Sequence, residues 1–105
     1  MKLNSDILYW RLKEQLHSVV LHGRSSDNLA LSRPEFYLDR AKTFEKNRVY
    51  VCSADHLPQR PKLSENVCLI CLGQHWNLNA YYDRCSVIVV EGDWDIFRIF
   101  NLVQS

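Results

Sequence analysis

The chain has 105 residues, room for one domain and little more. With 47% hydrophobic and 24% charged residues and only three Gly and three Pro, it has the make-up of a folded globule and excludes a disordered or low-complexity segment. A formal net charge of +1 argues against a dedicated nucleic-acid surface, so no nucleic-acid contact by these residues is expected.

The start, Met1-Lys2-Leu3-Asn4-Ser5-Asp6, lacks the apolar stretch of an export signal. The longest apolar run, Val67 to Leu72, is strand-sized, far below the roughly 18 residues of a membrane span. A cytoplasmic protein without membrane contact is therefore expected, with its four Cys reduced.

Asn4 or Ser5 can cap a helix beginning near Asp6, whose carboxylate suits the positive end of the helix dipole. Leu8, Leu12 and Leu16 recur at spacings of four with Ile7 beside them, which predicts an amphipathic helix over 6–17. Val19-Val20-Leu21 predicts a short strand closed by Gly23. Leu29, Leu31 and Glu35-Phe36-Tyr37-Leu38 suggest a second strand, which Pro34 sends to a sheet edge or breaks. From Asp39 to Arg48 the charges are mixed, as on a solvated short helix or loop.

Val49-Tyr50-Val51-Cys52 predicts a strand, and Ser53-Ala54-Asp55 a helical turn ended by Pro58 and Pro61. Val67 to Leu72, closed by Gly73, and Ser86 to Val90, closed by Gly92, are apolar on both faces, as a covered parallel sheet requires. Asp93 can cap a last helix with Ile96, Phe97, Phe100 and Val103 as its buried face. The sum is a single α/β domain, a four- to five-stranded, mostly parallel sheet with flanking helices. The last helix has no Gly or Pro to stop it, so the reading takes 1–105 as a domain truncated within that helix, the parent chain continuing.

Motifs that carry chemistry are scarce. Cys68-x-x-Cys71, with His75 and Cys85, is the nearest approach to a zinc set. Within one strand, residues three apart point to opposite faces, and Leu69-Ile70 is no chelating turn. Core cysteines and no metal are expected. The same placement tells against a thioredoxin-like motif, which begins a helix. No nucleophile elbow and no Gly-rich phosphate loop is present, so no catalytic residue and no cofactor is assigned.

Strand ends at the carboxyl side of a parallel sheet are where ligands bind. Asp55 and His56 follow one such end, and His75 and Trp76 follow another, so these four are the candidate ligand-binding residues. Trp76 lies in a polar loop, Gln74-His75-Trp76-Asn77; the remaining aromatic residues read mainly as caps on the core. Phe97, Phe100 and Val103 on the last helix are the candidate interface residues.

The order of features resembles a family. Met1-Lys2-Leu3 leads into a helix with Leu8, Trp10 and Leu12. The strands Val19-Val20-Leu21, Val49-Tyr50-Val51-Cys52, Val67-Cys68-Leu69-Ile70-Cys71-Leu72-Gly73 and Ser86-Val87-Ile88-Val89-Val90 follow. A helix ending Ile99-Phe100-Asn101-Leu102-Val103-Gln104 closes the series. This looks like the amino-terminal domain of purine catabolism regulator-like (PucR-like) transcription factors, whose chains end in a helix-turn-helix domain. The resemblance implies a non-enzymatic sensor or oligomerisation domain, with a small-molecule metabolite as ligand and a homodimer through the terminal helix. It carries over no catalytic or ligand residues. Two other readings stay open: a ligand-free dimerisation module, and a small enzyme using Asp55, His56, His75 and Asp83 if these converge.

Overall fold

A computed structural model describes residues 3–30, 34–38, 43–73, 78–92 and 95–104. Its elements are α1 (Ser5–Gln15), β1 (Val19–Gly23), β2 (Glu35–Tyr37), β3 (Val49–Ser53), a 3-10 turn (Ala54–His56), β4 (Cys68–Leu72), α2 (Asn79–Tyr82), β5 (Ser86–Val90) and α3 (Ile96–Gln104). The five strands form one sheet in the order β1-β5-β4-β3-β2. β2 to β5 are parallel, and β1 is antiparallel to β5. The fold is thus the single α/β domain with a mostly parallel sheet that the strand patterns require.

Because β2, β3, β4 and β5 step across the sheet in one direction, crossovers of constant hand fall on one face. That face holds Tyr37, Phe44, Tyr50, Cys52, Leu57, Val67, Leu69, Cys71, Leu78, Tyr81, Cys85 and Val87. The opposite face is covered by α1 and α3, whose Leu8, Leu12, Ile99 and Val103 pack on Val49, Val51, Cys68, Ile70, Ile88 and Val90.

Asn4 is the cap of α1: its Oδ1 accepts from the Ile7 amide at 2.9 Å. Leu8, Leu12 and Leu16 are buried as their spacing demands, although α1 ends at Gln15 and Leu16 lies just beyond it. The start of the helix is fixed by a knot of buried hydroxyls. Ser86 Oγ donates to the Arg24 carbonyl and lies 3.2 Å from Ser5 Oγ and 3.3 Å from Ser26 Oγ. These groups join α1, the segment after β1 and the first residue of β5, and each meets the need of the others for a partner away from water.

The crossover face is built differently. Among the described residues its only α-helix is the single turn α2, joined by the 3-10 turn at Ala54–His56, so irregular segments cover most of what is described there. Such segments leave backbone groups to satisfy, and tyrosines do so while filling the core. Tyr81 Oη donates to the Pro58 carbonyl, and Tyr50 Oη accepts from the Glu45 amide at 2.8 Å. Arg84 donates to the carbonyls of Pro61 and Leu63 at 3.3 and 3.2 Å. Phe44 stacks on Tyr37 with centroids 4.3 Å apart and meets Tyr50 edge-on at 5.0 Å.

Several expectations are corrected. The second strand is only Glu35–Tyr37; Leu29 instead forms an isolated bridge with Leu3, and Leu31 lies outside the described residues. Of the mixed-charge stretch, residues 39–42 lie outside the described residues and 43–48 take the loop alternative rather than the helix: Phe44 bridges Leu63, and a turn follows, with Asn47 in the left-handed region at φ 58°. The helix α2 was not expected. The buried stripe of α3 is Ile96, Ile99, Phe100 and Val103, with Ile99 in place of Phe97. Positions 96, 99, 100 and 103 follow helical periodicity, and Phe97 is turned about 100° from Ile96. It is accordingly 66% exposed. The cap assigned to Asp93 lies outside the described residues; Asp95 Oδ1 accepts from the Phe97 amide at 2.8 Å.

Candidate functional site

β3 and β4 are adjacent and parallel, so the segments that leave them do so side by side at the carboxyl edge. After β3 the chain makes its 3-10 turn, which carries Asp55 and His56. Asp55 is exposed, and His56 is half-buried. His56 Nδ1 is shut off from solvent and has no hydrogen-bond partner. A buried ring nitrogen left so loses the hydrogen bond it would make in water. After β4, Gly73 takes φ +92°, a left-handed conformation that glycine adopts without strain. A side chain built there would meet Ala54 Cβ at 3.9 Å, which places the two departing segments against each other. His75 and Trp76, which follow Gly73, lie outside the described residues.

The same edge carries the end of β5 and the start of β1. Glu91 donates its amide to the Ser18 carbonyl at 3.1 Å, and its Oε2 accepts from Ser18 Oγ at 2.9 Å. Asp83 does not belong to this edge. The turn α2 carries the chain back across the sheet, and Asp83 precedes β5 at the amino edge, one five-residue strand away from Asp55. At about 3.3 Å per residue that separation exceeds the reach of two side chains. The arrangement in which Asp55, His56, His75 and Asp83 converge is thereby lost, because Asp83 stands at the wrong end of the strands.

The second candidate region is α3. Phe100 stacks on Phe36 of β2 with centroids 4.2 Å apart and planes at 21°, and Phe97 meets the same ring edge-on at 5.4 Å. Strand alternation puts Leu38, 61% exposed, on the same face as Phe36. Phe36, Leu38, Phe97 and Phe100 thus make an apolar corner at the edge strand. Val103 is not part of that surface. It is 3% exposed and belongs to the core under α1, one turn beyond Phe100 on the inward side of the helix. As an interface residue it is corrected. Arg11 of α1 donates from Nη1 to the Val103 carbonyl at 3.1 Å and ties the two helices together.

The thiols are core residues. Cys68 faces the α1–α3 layer and Cys71 the crossover layer, the opposite placement that their spacing in one strand dictates. Cys52 is the register partner of Cys71, and their mutual hydrogen bond and burial raise the Cys52 pKa well above the thiol range. Burial raises Cys68 as well, and pushes Cys85 up to about 12. Thiols so placed are protonated and poor nucleophiles. Among the described residues no three His, Cys, Asp or Glu side chains stand close enough to hold a metal ion. No described helix is long and apolar enough to cross a membrane.

No known protein family, curated protein or solved structure matches this chain.

Proposed function

We propose that the chain is the regulatory input domain of a PucR-like transcription regulator, a non-enzymatic unit that binds a small metabolite and passes its state on through α3. The observation that carries the reading is the position of α3. It is fixed to the edge strand through Phe36 and to α1 through Arg11, while Phe97 stays outward. A change in the sheet therefore has a path to this helix. The ligand's place in this reading is the carboxyl edge, where the turn bearing Asp55 and His56 lies against Gly73, the last described residue before His75 and Trp76 in sequence. The half-buried His56 is the side chain this reading assigns to a polar ligand.

A thermal-shift screen against purines, pyrimidines, amino acids and nucleotides tests it, since a ligand of the native state raises the melting temperature by mass action. A hit whose shift disappears in His56→Ala supports the reading. A hit indifferent to His56→Ala moves the site elsewhere, and a flat screen of folded protein removes the metabolite.

The exposed Leu38 and Phe97 favour a second reading, a ligand-free dimerisation module meeting its twin through the β2–α3 corner. Sedimentation equilibrium decides it: a dimer broken by Phe97→Asp supports this reading, and a monomer at high concentration rejects it.

A further inference from the structure

The last described turn of α3 takes a cation from a distant part of the chain. The last carbonyls of a helix have no partner within it, and the helix dipole places negative charge on them. A glycine turn or basic residues in the last turn usually answer this. Within Ile96–Gln104 the last turn of α3 holds no Lys, Arg or His. The cation comes instead from 92 residues earlier in the chain, where Arg11 reaches from α1 to the Val103 carbonyl.

Arg11 is well placed for this. It stands next to Leu12, which is buried, and one turn along from Leu8, so its backbone moves only if α1 moves. α1 in turn is anchored at its start by the Asn4 cap and the Ser5–Ser26–Ser86 hydroxyls. The bond is part-buried, where a charge-assisted hydrogen bond is screened less than on an open surface.

We propose that Arg11 is a latch, a positioning residue that holds the last turn of α3 against α1 and makes the order of that turn depend on where α1 sits. A shift of α1 breaks the bond and frees the end of α3, while the rest of α3 stays seated through Ile99 and Phe100. The latch concerns how α3 is held, and it stands or falls independently of any ligand.

Amide hydrogen exchange on the 105-residue chain tests it, comparing the native protein with Arg11→Met and Arg11→Lys. Methionine keeps an apolar stem and removes the donors; lysine keeps a cation without the planar fork. In Arg11→Met the amides of Val103 and Gln104 are expected to exchange about tenfold faster, while those of β4 and β5 keep their rates relative to one another and to the native protein. Arg11→Lys is expected to restore part of the protection. Unchanged exchange in the last turn overturns the proposal. So does an equal acceleration in every element, which would show a general loss of stability, and so does a lysine variant no better protected than methionine.

Discussion

Gly23 and Gly73 both sit at the ends of strands with positive φ, +84° and +92°, yet alanine is expected to have very different effects at the two. At Gly73 the added Cβ meets only Ala54 Cβ, at 3.9 Å, an ordinary contact. The cost is that of an L residue in the left-handed region, about 1–2 kcal/mol, offset in part by about 0.4–1 kcal/mol from a stiffer unfolded chain. The net is about 1 kcal/mol. At Gly23 the same Cβ would lie 2.1 Å from the Cys85 carbonyl oxygen and 2.9 Å from that of Tyr82, and neither backbone group can rotate away. The end of β1 must lift from β5. That strains the Arg24 amide bond to Cys85 O, now 3.2 Å, and the Ser86 hydroxyl bond to the Arg24 carbonyl. Two hydrogen bonds, each worth about 1 kcal/mol and more if a buried partner is stranded, bring the total to roughly 3–5 kcal/mol. Urea unfolding followed by circular dichroism measures both. At about 4–8 °C per kcal/mol, Gly73→Ala melts several degrees below the native protein and Gly23→Ala more than about 12 °C below it. Losses equal within about 0.5 kcal/mol would refute the reasoning, because the close approach of β1 to Cys85 would then have no energetic consequence.

Other outcomes follow from the same core. Ser86→Ala removes the hydroxyl partner of Ser26 and of the Arg24 carbonyl, leaves Ser5 Oγ with the Ser26 amide, and is expected to cost about 1–3 kcal/mol in urea unfolding; a neutral result would show that the hydroxyl knot contributes nothing. Tyr81→Phe keeps the ring and leaves the Pro58 carbonyl without its donor, an expected loss of about 1–2 kcal/mol by the same assay. The thiols set a pH dependence. Cys85 is pushed up to about 12 by burial, and Cys52 and Cys68 are raised too, from an ordinary value of 9.0. The native state then holds protons that the unfolded chain releases, so this contribution is complete below about pH 9 and declines as pH rises toward 12. Urea midpoints measured from pH 7 to pH 10.5 should fall at the alkaline end, and a rise there would contradict the assignment. At pH 8 a disulfide reagent should leave the native thiols unmodified and titrate all four in denaturant.

The sheet was legible because β3, β4 and β5 are short apolar runs with no polar face, and only a covered, mostly parallel sheet accommodates three of them. What covers the crossover face was not. Phe44, Leu57 and Leu63 are single apolar residues in polar stretches with no periodicity to mark them; Phe44 and Leu57 are buried in this layer and Leu63 is half-buried against it. α2 was missed for a related reason. Its single turn has no capping side chain, and what holds it is the burial of Tyr81. Without that turn nothing in the sequence separates Asp83 from Asp55, His56 and His75, the set of the enzyme alternative. Asp55 and His56 were placed correctly at that edge because the direction of β3 alone decides it. The Arg11 contact could not have been read at all, since no local pattern relates residues 92 apart.

The topology also explains why regulation through α3 would act on its end. With the β2–β3, β3–β4 and β4–β5 connections on one face, α1 and α3 are the described helices on the other, beside Leu3 and Leu29. Removing α3 would bare Val49, Val51 and Ile70 and give up the burial of Ile99, Phe100 and Val103. At about 1.5–3 kcal/mol for each of those three side chains, the loss is comparable to the roughly 5–15 kcal/mol that stabilises a domain of this kind. Detaching the whole helix would thus approach unfolding. Its last turn gives up only Val103 and the half-buried Leu102, together with the Arg11 bond. A perturbation of a few kcal/mol, the scale that a bound ligand provides, is enough to free the turn and too small to release the helix.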